Sequence, residues 1–303
     1  MRLEPEQLER HLQKGLAPVY LVAGEEPLTI EECCDAIRRR AHEYGYERQA
    51  YTVEPGFDWN GFSIESHSLS LFAARRLIEL RLHAAKPGDA GSRALIELAR
   101  DPHPDTALLV VTGRLDKAAR ASQWVKALET AGVALTAREL PPHRLPDWIG
   151  ARLQRRGLSA GPGVIDALAY HMEGNLLACA QEIDKLALRL VGGTVVLEEL
   201  EESITDNARF DVYGLVDSCL KGDAATALRR LHSLRAEDGA PTLVLWALAR
   251  ELRALSPVTH ALARGRPEGE ALAPVWASRR ALVVKAAKRL GPDTCLDLLK
   301  RAA

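Results

Sequence analysis

The alternation of apolar and polar positions changes character near residue 140. Before it, short apolar runs alternate with stretches of helical period. Val19-Tyr20-Leu21-Val22-Ala23 runs into Gly24 and predicts a first strand. Ala50–Val53, Arg76–Leu82, Ala107–Val111 and Val133–Ala137 predict four more, and Thr29–Tyr44 and Ala118–Ala131 carry the 3.6-residue period of helices. Strands alternating with helices predict a mostly parallel sheet covered on both faces. Past Pro141, Pro142 and Pro146 the strand pattern stops. Helices are predicted over 147–156, 163–172, 176–191, 197–204, 212–220, 224–237, 241–256 and 282–290, with Pro241 suited to the first turn of its helix. Leu243, Val244, Trp246, Ala247 and Leu255 cover more than one face of that helix, which is therefore expected to be largely buried. The fold class expected is α/β plus all-α.

Charge refines the division of the helical part. Residues 150–208 are net acidic and 209–303 net basic, so the stretch Asp206–Asp211 reads as a second boundary. Three domains follow: 1–140, 141–208 and 209–303. Over the whole chain, 40 Lys and Arg balance 41 Asp and Glu, for a net charge of −1. That excludes a protein that coats nucleic acid or anionic membrane by bulk charge, while leaving room for a local basic patch. Apolar runs such as Thr242–Leu248 are far short of the roughly 20 residues that span a bilayer, and Met1–Glu6 carries acids rather than the apolar stretch of a secretory signal. The five cysteines are an odd count in a chain of 303 residues, with only Cys33 and Cys34 adjacent. No disulfide framework is expected, and a cytoplasmic location fits best.

The first place for chemistry is the strand-to-helix turn after Gly24. A phosphate-binding loop, G-x-x-x-x-G-K-[ST], would place its second glycine at Thr29 and its lysine at Ile30, and Glu25 and Glu26 would oppose an anion. The turn therefore reads as a plain helix start with acids near its N-terminus. Leu108–Val111 supplies an apolar strand but is followed by Thr112-Gly113, with no carboxylate to hold Mg²⁺ before Asp116, which reads as a solvated loop acid. The nine histidines give no zinc spacing, Cys33 and Cys34 point to different faces of a helix with burial of one expected, and His171 and Glu173 are two residues apart and do not face each other. No G-x-S-x-G elbow is present. Neither a catalytic set, nor a metal site, nor a bound cofactor is expected.

One segment reads as a binding element. In His67-Ser68-Leu69-Ser70-Leu71-Phe72, two large apolar side chains stand side by side after a polar stretch. By pattern alone they read more readily as core; exposed, they would anchor in a partner's apolar pocket.

Several strings, in order, resemble the delta-subunit family of bacterial DNA polymerase III clamp loaders. They are Arg2-Leu3-Glu4-Pro5-Glu6-Gln7-Leu8, Val19–Gly24 with Glu26-Pro27-Leu28, Asp58-Trp59-Asn60, Ser70-Leu71-Phe72-Ala73, Glu173-Gly174-Asn175-Leu176-Leu177-Ala178, Asp206-Asn207-Ala208-Arg209-Phe210 and Arg250-Glu251-Leu252. The resemblance implies an AAA+-like parallel-sheet domain, a small helical lid and a helical collar for oligomerisation. It implies a nucleotide site that does not work, in line with Thr29 and Ile30. It also implies that Leu177 stands where active relatives carry the arginine of G-x-x-R. It implies that Leu71 and Phe72, with Leu69 and Ser70 beside them, enter a hydrophobic pocket of the beta sliding clamp, and that His67 takes the place where many clamp-binding segments begin with glutamine. The partners implied are the clamp, the gamma/tau and delta-prime subunits in a hetero-pentamer, and primed DNA through that assembly. No intrinsic catalysis is implied beyond membership of the polymerase III holoenzyme, a DNA-directed DNA polymerase. The family's collar continues beyond the position of Ala303, so 209–303 is expected to be an incomplete collar, without the family's aromatic contact near the primer–template junction. The alternatives are an ATP-hydrolysing clamp or helicase loader and a non-catalytic helical scaffold.

Overall fold

A computed structural model describes residues 1–67, 75–82, 86–172, 175–190, 192–205, 208–236, 241–276 and 279–302. The chain divides into two compact units, Met1–Leu140 and Pro141–Ala303. The strands of the first unit are β1 (Arg2–Leu3), β2 (Val19–Gly24), β3 (Tyr46–Val53), β4 (Arg75–Leu82), β5 (Thr106–Thr112) and β6 (Val133–Ala137). Its helices are α1 (Leu8–Leu12), α2 (Pro27–Glu43), α3 (Trp59–His67), α4 (Gly88–Arg100), α5 (Lys117–Ala121) and α6 (Gln123–Ala131). Among the described residues the six strands form one sheet in the order β1-β6-β2-β5-β4-β3, with every pairing parallel.

Parallel strands need crossovers, and the crossovers cover both faces with helices. Alternation along each strand decides which side chain meets which layer. Val19, Leu21, Ile78, Leu80, Leu108 and Val110 face Phe62 of α3, Leu95 and Leu98 of α4 and Trp124 and Leu128 of α6. The opposite set, Tyr20, Val22, Leu77, Leu109 and Leu135, meets Leu8 and Leu12 of α1 and Cys33, Cys34 and Ile37 of α2. Both adjacent cysteines are buried, where one was expected. The expected helix 118–131 is broken at Ser122, which ends α5 and caps α6 in extended conformation.

The second unit comprises α7 (Leu145–Arg155), α8 (Val164–Met172), α9 (Leu176–Arg189), α10 (Leu197–Thr205), α11 (Ala208–Lys221), α12 (Ala224–Ala236), α13 (Pro241–Ala263), α14 (Glu268–Ala271) and α15 (Arg280–Ala302). A small parallel pair, β7 (Leu158–Ala160) with β8 (Gly193–Val195), also lies here, in a region where no strand was expected. Three residues are too few for alternation to show. The α13 helix runs past Pro257 to Ala263, and its burial is one-sided: Ala247, Leu255 and Val258 are buried while Leu245 and Trp246 stay exposed. The core around Val212, Val216, Leu255, Val258, Val283 and Ala286 is built from α11, α13 and α15. A polar cluster joins it to α8. Arg250 donates to the Tyr170 carbonyl at 3.1 Å and to the Tyr213 hydroxyl at 3.3 Å, and the Tyr170 hydroxyl donates to Glu251 at 3.2 Å. The Arg279 guanidinium lies 3.5 Å over the Tyr170 ring and pairs with Asp217 at 2.7 Å. Among the described residues no helix is long and apolar enough to cross a membrane. The observed arrangement is the expected α/β plus all-α class.

Candidate functional site

In an open parallel sheet, ligands bind beyond the carboxyl ends of the strands. Here that place is a cleft lined by Gly24, Pro27, Ile30, Glu31, Arg81 and Thr112, at the ends of β2, β4 and β5 and the start of α2. A phosphate cradle would need free amides at the turn between β2 and α2. They are occupied. The Glu25 and Glu26 amides both donate to the Ala137 carbonyl, at 3.0 and 3.5 Å. Pro27 has no amide hydrogen, and the Leu28 amide donates to the side chain of Glu26, the N-cap of α2, at 3.2 Å. Burial pushes the Glu26 carboxyl up from its ordinary value. The Leu28 amide works against that shift and nearby Glu139 adds to it.

Gly24 has a local reason that has nothing to do with phosphate. A Cβ there would lie 1.9 Å from the Ala137 carbonyl oxygen, so glycine is what lets β2 end tightly against β6. Gly24→Ala is expected to lower the stability of the first unit by about 1–3 kcal/mol, read from urea unfolding.

Ile30, Glu31 and Arg81 are also committed. Ile30, where a phosphate-binding lysine would stand, packs against the core beneath α2. Arg81 grips Glu31 with two hydrogen bonds, of 2.7 and 3.0 Å. These bonds hold the Glu31 carboxyl below its usual range, against burial. The strand β5 ends at Thr112 with no acid before Asp116, and Asp116 is spent capping α5, accepting from the Ala119 amide at 2.7 Å. Among the described residues no three His, Cys, Asp or Glu side chains gather as metal ligands. In the second unit, Asn175 caps α9 by accepting from the Ala178 amide at 2.8 Å, and Leu177 beside it is 44% exposed and offers hydrocarbon, not charge. Glu173 and Gly174 lie outside the described residues.

Leu69, Ser70, Leu71 and Phe72 also lie outside the described residues, and of His67 only its backbone place as the last residue of α3 is described. The structure does describe both ends of the segment. At one end Arg76, 6% exposed and on β4, donates to the Glu65 and Ser66 carbonyls at 3.1 and 3.0 Å. At the other, Arg75 donates to the Tyr44 carbonyl at 3.1 Å and pairs with Asp105 at 3.5 Å. These anchors, and the buried Glu79 among Arg38, Arg48 and Arg81, were not anticipated from sequence. The available signal was the run of charges, Arg75, Arg76, Glu79 and Arg81, inside an otherwise apolar strand.

Residues 20–138 match the sequence model of the family described as "DNA polymerase III, delta subunit". The chain is 33% identical over 295 residues to DNA polymerase III subunit delta of Escherichia coli strain K12, covering 96% of this chain and 85% of that one. It is 29% identical over 320 residues to the subunit of the same name from Haemophilus influenzae, covering 100% of this chain and 92% of that protein. Among solved structures, the Bacillus subtilis DNA clamp loader delta protein superposes with a TM-score of 0.61 at 15% identity. That match covers 98% of this chain and 91% of the other, and it bears on the fold alone.

Proposed function

The chain belongs to the DNA polymerase III delta-subunit family, and from that premise we propose that it binds the beta sliding clamp and helps open the ring for loading, without itself binding or hydrolysing ATP. Family membership places the chain in the clamp-loader complex of DNA replication. The finer reading assigns the clamp contact to Leu71 and Phe72, flanked by Leu69 and Ser70, with His67 at the start of the segment. Its partners are the clamp, the gamma/tau and delta-prime subunits, and primed DNA reached through the assembly. Residues 141–208 act as the lid and 209–303 as the collar, and the protein works in the cytoplasm.

The observation that carries the ATP-inert reading is the turn after β2, where the Glu25, Glu26 and Leu28 amides already have partners and Pro27 has no amide hydrogen to give. A nucleotide would have to break those bonds and place its phosphates against Glu25, Glu26 and the Arg81-bound Glu31. The energy for loading then comes from subunits that do hydrolyse ATP, and this chain contributes the grip on the ring. Titrating the purified chain with Mg²⁺-ATP in a calorimeter is expected to show no saturable binding with Kd below about 1 mM. Saturable micromolar binding would replace this reading with that of an ATP-hydrolysing loader. Unchanged binding of purified clamp to the chain in the absence of nucleotide is the matching positive result.

A further inference from the structure

The clamp-binding reading leaves open how a short apolar segment is held ready to enter a pocket. We propose that Arg76 is a positioning residue for clamp binding, a buried clasp that fixes the end of α3, from which the chain enters the clamp-contact segment. The inference rests on the assignment of the clamp contact to Leu71 and Phe72.

The last carbonyls of a helix have no partner within it, and unless something satisfies them the final turn frays. In α3 those carbonyls include Glu65 and Ser66. A guanidinium carries its donors in a rigid fork, and a cation at a helix C-terminus is further favoured by the helix dipole. Arg76 meets both conditions, with one Nη to each carbonyl, at 3.1 and 3.0 Å. It comes from β4, a strand held on both sides by β3 and β5, so the clasp ties the helix end to the centre of a rigid sheet. Its side chain is 6% exposed, which makes its bonds costly to break.

Other contacts act on the same turn. The Ser66 hydroxyl donates to the Phe62 carbonyl at 2.7 Å. Phe62 is 3% exposed and packs edge-on against Tyr51 and Trp59. Immediately beyond the segment, Arg75 is held by the Tyr44 carbonyl and Asp105. The described residues on either side of 68–74 are therefore both anchored. Fixing both points lowers the ordering cost of binding, since apparent affinity falls in proportion to the fraction of molecules in the competent arrangement. The effect belongs to the association rate, because the contacts made once the pair is seated are the same.

The test uses the full chain and purified sliding clamp, with association and dissociation rates measured on immobilised clamp and amide exchange measured across residues 60–67. Arg76→Gln is expected to weaken clamp affinity about tenfold, mostly through slower association, with faster exchange at the end of α3. Arg76→Lys keeps the cation and loses the rigid fork that reaches both carbonyls. It is expected to act in the same direction by about two- to threefold, and it decides the matter by the same criteria if Arg76→Gln does not fold. A folded variant whose exchange at the end of α3 is unchanged overturns the proposal. So does one whose exchange rises while clamp affinity and association rate stay within experimental error of the parent. The Leu71→Ala/Phe72→Ala variant separates this outcome from failure of the underlying reading. Parent-like clamp binding by that variant removes the clamp-contact assignment itself, whereas lost binding with slow exchange retained at the end of α3 leaves Arg76 as the only question.

Discussion

Replacing Glu79 by glutamine is expected to destabilise the first unit by about 3 kcal/mol at pH 7. Glu79 lies on β4 with no exposed surface. Its Oε1 accepts from Arg38 Nη2 and Arg81 Nε at 2.7 and 2.9 Å, and its Oε2 from Arg38 Nε and Arg48 Nε, both at 2.8 Å. Burial alone would push the carboxyl up. Hydrogen bonds from the three guanidinium groups outweigh it and hold the group at about 2, against an ordinary 4.5. At 1.36 kcal/mol per pKa unit, that depression corresponds to about 3 kcal/mol. Glutamine keeps one oxygen but turns an NH₂ toward arginine donors, so two of the four bonds are lost along with the charge. The melting temperature of the unit should fall by about 6–12 °C. The sign of the pH dependence follows from the depressed pKa. The stabilisation is fully present above pH 4.5 and disappears as pH falls toward 2, so the parent and variant stability curves should converge in acid. A difference that stays constant from pH 7 to pH 3 would show that the carboxylate charge is not what stabilises β4 there.

β2, β5 and β6 were legible because buried parallel strands are nearly continuous apolar runs. Leu108-Leu109-Val110-Val111 cannot be placed on a surface, and its length is too short for a helix. β1 and the β7/β8 pair were not legible, because two or three residues carry no period. Their pairing is fixed by partners far along the chain, such as Ala134 opposite Arg2. The α13 helix shows the opposite error. Leu243, Val244 and Trp246 suggested burial on several faces, yet Leu245 and Trp246 remain exposed, because composition cannot tell a core face from a face left open.

At the site, the sequence identified which groups were absent but not what occupies their place. Thr29 and Ile30 already broke the phosphate-loop pattern. That the turn's amides bond to Ala137 was invisible, since Ala137 is more than a hundred residues away. Arg76 and Glu79 were likewise hidden. A charge in an apolar strand is recognisable as unusual, but its partners on α2, α3 and β3 become neighbours only when the sheet forms.

The second large effect concerns the clamp. If Leu71 and Phe72 both become buried in a pocket of the ring, each contributes about 1.5–3 kcal/mol of apolar burial. Removing both side chains then costs roughly 3–6 kcal/mol of binding, a loss of about 10²–10⁴ in affinity. The loss should leave the fold intact, because the reading assigns both side chains to the partner's pocket and not to the core of the chain. It should also respond little to salt, since apolar burial and not charge pairing supplies the energy.

The most direct measurement is therefore the affinity of purified sliding clamp for the Leu71→Ala/Phe72→Ala chain, with circular dichroism and melting temperature recorded on the same sample. The account predicts a parent-like fold with clamp binding weakened at least about a hundredfold. A folded variant that holds the clamp as tightly as the parent would contradict it.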